Sequence, residues 1–196
     1  MILMDNIIRE GDERLHEKAL EVSTPVSKED IMLLEEMMEY IYHSVDPEFA
    51  KLNLRPSVGL AAPQLGIMKR IIAISALDEK GRQVDLALIN PKIKSYSEEL
   101  TYLEPGEGCL SVDRDVKGLV MRHKRITFTA LSLEDGHLIE RTFRLKGYLA
   151  VVFQHEYDHL QGILFPDRIN KENPFYIPEN ASPIKFSDEE SEEDVK

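Results

Sequence analysis

The clearest periodic stretch of the chain is KEDIMLLEEMMEYIYHSV (28–45), where Ile31, Leu34, Met38 and Ile41 recur at three- and four-residue spacing. That spacing predicts an amphipathic helix. Thr24-Pro25-Val26-Ser27 stops whatever precedes it, and Ser27 with Asp30 resembles a capping box with an acid in the Glu position. Val26 and Ile31 stand where a hydrophobic staple would pack, and the methionines read as core filler. A loop rich in Pro, Gly and small residues follows, DPEFAKLNLRPSVGLAAPQLG (46–66). The pattern then turns to strand. RIIAISAL (70–77) and DLALINPKIKSY (85–96) are rich in Ile, Leu and Ala, with Gly81 between them as the turn. RITFTALSL (125–133) and HLIERTFRL (137–145) flank Glu134-Asp135-Gly136, a hairpin signal. LKGYLAVVFQHEYDHLQGILF (145–165) predicts a second helix ending near Gly162. Tyr148, Val151 and Val152 share one side of it with His155, and Phe153, Tyr157, Leu160 and Leu164 take another. A helix apolar on two sides is buried. Beyond Pro166, prolines at 174, 178 and 183 exclude a long helix. The order helix, strands, helix predicts an α+β fold: mixed, largely antiparallel sheets packed around the second helix, with an N-terminal helix.

Composition narrows the class. With 196 residues, 42% of them hydrophobic, the chain can bury a core. We expect one domain over 1–186 and a solvated, disordered acidic tail over 187–196. The net charge is −12; SDEESEEDVK (187–196) holds six acids and one Lys, which leaves −7 elsewhere. An acidic surface argues against DNA binding. No run of 18 apolar residues predicts a membrane span, and charge at Asp5 interrupts any signal-peptide pattern. The single cysteine, Cys109, excludes an internal disulfide and fits a reducing, cytoplasmic location.

The chemistry concentrates in His155-Glu156-Tyr157-Asp158-His159, an H-E-x-x-H pattern. Two histidines four apart share a helix face and can hold one metal ion. Glu156 lies about 100° round the helix from His155, placed as a general base rather than a ligand. Asp158 is either an outer-shell orienting group or part of an ion pair. Three candidates compete for the third ligand. A continuation of the H-E-x-x-H-x-x-G-x-x-H type matches through Gly162 but meets Phe165, which cannot ligate. Glu179 would serve a zinc endopeptidase, but Pro178 and Pro183 deny it a helix. Cys109, in PGEGCLSV, offers a thiolate suited to Zn or Fe(II). A structural metal protein is a further alternative, although such sites usually close with four ligands.

EGCLS (107–111), QHEYDH (154–159) and VGLAAPQ (58–64) are similar to the three motifs of the peptide deformylases, in the same order and with comparable spacing. IIREGDERLHEKA (7–19) also resembles that family's N-terminus, and the likeness covers most of residues 1–168. The segments before Arg55 and after Ser111 resemble the longer, type II, Gram-positive-like branch. The resemblance implies hydrolysis of the N-formyl group from the Met that starts new chains, with release of formate. It implies one Fe(II), replaceable by Zn, Ni or Co, on Cys109, His155 and His159. Glu156 would be the base, with the Gln64 side chain and the Leu110 N–H as oxyanion donors. Tyr148, Val151 and Val152 would line a Met pocket closed by Val58 and Leu110. Gly59 and Gly108 would leave backbone groups for an extended peptide to join as an added strand. Two departures stand out. The family's G-x-G-L-A-A-x-Q begins here with Ser57, which strains the loop if that position needs φ > 0 and is harmless if it needs only a small residue; we favour the second. Shorter-branch members end in a basic helix that docks on the ribosome. This chain ends in prolines and acids, so any ribosome proximity would be transient and without such a helix.

Overall fold

A computed structural model describes residues 1–185. The acidic segment expected over 187–196, and the last residue of the expected domain, lie outside the described residues.

Helix α1 spans Lys28–Val45, and half of the expected capping box forms: Ser27 Oγ accepts from Asp30 N–H at 3.1 Å, while the Asp30 carboxylate takes the Ser27 hydroxyl, at 2.9 Å, in place of the Ser27 N–H. The buried stripe is turned slightly from the sequence expectation. Leu34, Met37, Met38, Tyr40 and Ile41 are buried, whereas Ile31 is only half-buried. Asp30 takes the inward position at the first turn because its carboxylate is paired there with Lys69 Nζ at 2.5 Å.

The main sheet has the order β1 (Gly59–Ala61), β2 (Ile71–Leu77), β3 (Gln83–Tyr96), β6 (Arg125–Glu134), β7 (His137–Lys146), all antiparallel. Its strongest strand, β2, is buried on both faces. Ile72, Ile74 and Ala76 face helix α2 (Gly147–His159), while Ile71 and Ala73 pack with α1. That two-sided burial is why IIAISAL reads as a continuous apolar run rather than an alternating one. The β6–β7 turn is the two-residue Asp135-Gly136, with φ of 48° and 77°, the left-handed pair a type I′ hairpin needs. Strand β3 runs through Asn90-Pro91 by way of a register shift between Ile89 and Lys92. Asn90, at φ 53°, turns its side-chain amide to Val22 N–H and C=O at 2.8 and 2.9 Å.

A smaller sheet was not foreseen: β4 (Leu100–Tyr102) pairs antiparallel with β5 (Arg122–His123) and parallel with β8 (Ala181–Pro183). Strands of two or three residues carry no readable period. Helix α2 packs between the two sheets. Phe153 stacks on Phe128 of β6 at 3.9 Å between centroids, and Phe128 in turn stacks on Phe143 of β7 at 4.9 Å. Helix α2 ends at His159, and a turn follows in which Gly162 has φ +72°. A Cβ on Gly162 would stand 2.4 Å from the His16 carbonyl oxygen. This glycine closes the helix against the N-terminal segment, which accounts for the partial match to the longer protease pattern. A single turn, α3 (Phe165–Arg168), follows.

Candidate active site

Three segments remote in sequence meet at one end of α2. His155 and His159 project from the helix, their rings edge-to-face with centroids 5.2 Å apart. Cys109 comes from the β4–β5 connection and lies in a third apolar cluster with Leu15, Val112, Val120 and Leu164. One ligating atom from each of these three residues lies within 4.8 Å of the others, and Cys109 Sγ is 3.4 Å from His159 Nε2. This is the one such group among the described residues. Glu179 is exposed, on the segment between α3 and β8, and outside the group. Phe165 stacks beside the His155 ring at 6.0 Å and cannot ligate.

A chain of buried charges holds the site from behind. Glu107 Oε2 accepts from His155 Nδ1 at 2.7 Å. Arg122 grips Glu107 with both prongs, Nε to Oε1 at 2.8 Å and Nη2 to Oε2 at 2.9 Å. Its third nitrogen, Nη1, donates to Asp158 Oδ2 at 2.5 Å, and Asp158 also accepts from Arg168 Nη2 at 2.6 Å. The side chains of Arg122, Glu107 and Asp158 are 3%, 4% and 6% exposed, so these are interior ion pairs, not surface ones. Burial alone would raise the Glu107 pKa, but the Arg122 guanidinium and the His155 bond hold it down at about 2. Burial likewise works against the charge on Arg122, and its two carboxylates keep it protonated. Burial, with the positive fields of His155 and Arg122, lowers the His159 pKa well below the usual histidine value; a neutral imidazole is the ligating form. Of the two readings the sequence allowed for Asp158, the structure shows the ion pair: it touches Arg122 and Arg168 and reaches His155 only through Arg122 and Glu107.

The remaining predicted residues converge on the same point. Glu156 is buried, and that burial pushes its carboxyl up to about 7. Gly59 lies directly over it: a Cβ there would come within 2.4 Å of Glu156 Oε1. Gln64 is 2% exposed. Its Oε1 accepts from Ala61 N–H at 2.9 Å, which turns Nε2 toward Cys109 Sγ and Ser111 Oγ, each at 3.4 Å. Cys109 and Leu110 are tied down by Arg55, whose guanidinium donates to their carbonyls at 3.1 and 3.3 Å. A cavity of about 330 Å³ opens beside these groups, lined by Val58, Gly59, Gly108, Leu110, Tyr148, Val151 and Val152 together with Gln64, Cys109, His155 and Glu156. Its size falls in the range typical of small-ligand sites. Every sequence-predicted site residue is therefore at the cavity except His159, which is buried behind it. The sequence missed Leu103 and Arg55 on the cavity wall, and Arg122 and Arg168 in the ion chain. Glu107 had a signal, its place two residues before Cys109; Arg122 had none.

The residues fit a metal ion. With Nδ1 of His155 committed to Glu107, its Nε2 is left to ligate. His159 Nδ1 and Glu156 Oε2 are buried without a partner among the described residues, polarity that an apolar core does not tolerate without reason. A thiolate with two imidazoles suits Zn or Fe(II), and three protein ligands leave a position open for chemistry.

The polypeptide deformylase family model matches residues 4–175. A peptide deformylase of Oceanobacillus iheyensis is 54% identical over 186 residues, covering 94% of this chain and 100% of that protein. Peptide deformylase 2 of Bacillus subtilis is 49% identical with the same coverage. Among solved structures, the peptide deformylase of Thermotoga maritima aligns with a TM-score of 0.64 at 35% identity, covering 84% of this chain and 96% of that one. A class I type b peptide deformylase from Acinetobacter baumannii, bound to Met-Ala-Ser, aligns with a TM-score of 0.64 at 32% identity, covering 83% and 96%.

Proposed function

The chain belongs to the peptide deformylase family, and on that premise we propose that it removes the N-formyl group from the formyl-Met of new polypeptides, releasing formate. The observation that carries this is the convergence of Cys109, His155 and His159 on one point beside Glu156 and the Gln64 amide. Cys109, His155 and His159 would hold a metal ion, which would supply Lewis-acid polarisation of water and of the formyl group. We take it to be Fe(II), with Zn, Ni or Co able to replace it; the thiolate–imidazole set supports any of these.

The chain's own groups divide the remaining work. Glu156 takes a proton from water as its oxygen bonds to the formyl carbon. A carboxyl near pKa 7 is matched to this task at neutral pH. The negative charge that develops on the formyl oxygen meets Gln64 Nε2 and the Leu110 N–H, donors fixed in advance by the Ala61 and Arg55 tethers. Glu156 then delivers its proton to the amine as the C–N bond breaks. Tyr148, Val151, Val152, Val58 and Leu110 give the Met side chain an apolar seat. Gly59 and Gly108 present backbone for the peptide to pair with; a Cβ on Gly108 would meet nothing within 4 Å, so the approach there is open. The Met-Ala-Ser ligand of the Acinetobacter baumannii relative supports a substrate that begins with Met.

We treat the described residues as one catalytic domain in the cytoplasm, where new chains are made. We take any meeting with the ribosome to be transient. The test is formate release from a formyl-Met peptide by anaerobically prepared protein, with an acetyl-Met peptide as control. Release from the acetyl peptide at a similar rate, or from neither, refutes the reading.

A further inference from the structure

Ser57 stands where the family pattern has glycine, and the structure shows what its hydroxyl does. The backbone there is outside the left-handed region: among the described residues the positive-φ ones other than glycine are Asn53, Asn90 and Asp135. Strand β1, which begins two residues later, is at the edge of the main sheet. Val58 C=O accepts from Ser75 N–H on β2 at 2.9 Å, and Gly59 lies opposite Ile74. Bonded and non-bonded pairs alternate along an antiparallel ladder. Val58 therefore spends its carbonyl on β2, and Gly59 turns its N–H and C=O the other way, to the open edge. That edge faces the cavity that also holds Glu156. Ser57 Oγ sits on both groups, donating to Gly59 C=O at 2.6 Å and accepting from Gly59 N–H at 3.4 Å.

We propose that Ser57 is a built-in competitor for the substrate backbone. Its hydroxyl occupies the two groups an incoming strand would use, so a formyl-Met peptide must displace it before pairing with β1. The hydroxyl has somewhere to go, because Ser57 also lines an adjoining cavity of about 1090 Å³. Its backbone stays in place meanwhile, held by Ser57 N–H donating to Ser44 Oγ at 3.1 Å. Ser57 is thus a positioning residue that acts through Gly59 and sets how tightly the peptide main chain is held. This rests on the deformylase reading above.

The experiment compares steady-state formate release by the wild type, Ser57→Ala and Ser57→Thr on a formyl-Met tripeptide. Losing one neutral intramolecular hydrogen bond predicts a KM lower in Ser57→Ala by roughly 3- to 10-fold, with the gain carried by KM. Ser57→Thr keeps the hydroxyl and the wild-type KM. A merely structural role would not move the second readout, a set of depsipeptides in which each backbone N–H is replaced in turn by an ester oxygen. At the position that pairs with Gly59, the replacement raises KM more in Ser57→Ala than in the wild type, because the wild type regains its own bond. If both proteins release formate and KM is equal or higher in Ser57→Ala, the inference is overturned. If neither releases formate, the deformylase reading falls, and this inference with it.

Discussion

Arg122→Met tests the interior ion chain. The substitution keeps volume and apolar stem but removes the cation between Glu107 and Asp158, whose side chains are 4% and 6% exposed. Asp158 retains Arg168, which reaches it from the surface. Glu107 retains only the His155 N–H, so one buried carboxylate loses its counterion. Breaking a buried pair from one side costs about 3–5 kcal/mol, a large share of the roughly 5–15 kcal/mol that holds a domain folded. At about 2–4 °C per kcal/mol for a chain of this length, the melting temperature falls by roughly 6–20 °C. The control is Arg141→Ala on β7, which breaks the Arg141–Glu134 pair, with side chains 50% and 36% exposed. Exposed pairs contribute about 0–1 kcal/mol, so this variant melts near the wild type. Urea titration and thermal scans of metal-loaded proteins read both. Adding Glu107→Gln to Arg122→Met removes the stranded charge and recovers part of the loss, a coupling that separate sites would not show. If Arg122→Met costs no more than Arg141→Ala, or if Glu107→Gln is as harmful in the Arg122→Met background as in the wild type, the buried chain does not contribute as described.

Three further predictions address the centre itself. Cys109→Ala lowers bound metal in elemental analysis, whereas Glu179→Ala leaves it at the wild-type level; the reverse pattern would restore the endopeptidase alternative. Glu156→Gln keeps the metal but lowers kcat by about 10²–10⁴, the range for a positioned proton carrier, and retained turnover would remove Glu156 as the base. Protein purified in air loses iron and activity together, as a thiolate-ligated Fe(II) should, and full activity with full iron after aerobic purification would refute the iron assignment.

What was legible in the sequence follows from the scale of each feature. Helix α2 and the β6–β7 hairpin have long periods or a decisive turn, and both appear where expected. On α1 the expected Leu34, Met38 and Ile41 are buried, but the inward place of Asp30, paired with Lys69, was not legible because periodicity counts only apolar residues. The small sheet was invisible, since β4, β5 and β8 have three, two and three residues. The site split the same way. Cys109, His155, His159 and Glu156 are carried by local motifs. Arg122 is not, because in LVMRHKR it looks like an ordinary polar residue at a strand end. Its role depends on Glu107, 15 positions back, and Asp158, 36 ahead, contacts made only by the fold.

The distribution of tethers indicates that this centre is organised by protein contacts and not by the metal alone. Gln64 is oriented by the Ala61 N–H, the Cys109–Leu110 carbonyls by Arg55, and His155 by Glu107. Gln64, the Cys109–Leu110 backbone and His155 thus each have a polar partner drawn from a different segment. Catalytic groups held this way lose little freedom when substrate arrives. His159 is the exception, with Nδ1 lacking a partner among the described residues while its other nitrogen faces Cys109 Sγ. The two histidines of the motif are therefore unequal. His155 hydrogen-bonds a buried carboxylate, and His159 is buried with Nε2 toward the Cys109 sulfur. With a metal bound, the carboxylate behind His155 would raise the basicity of that imidazole, so Glu107, held by Arg122, is the expected route by which the protein tunes it.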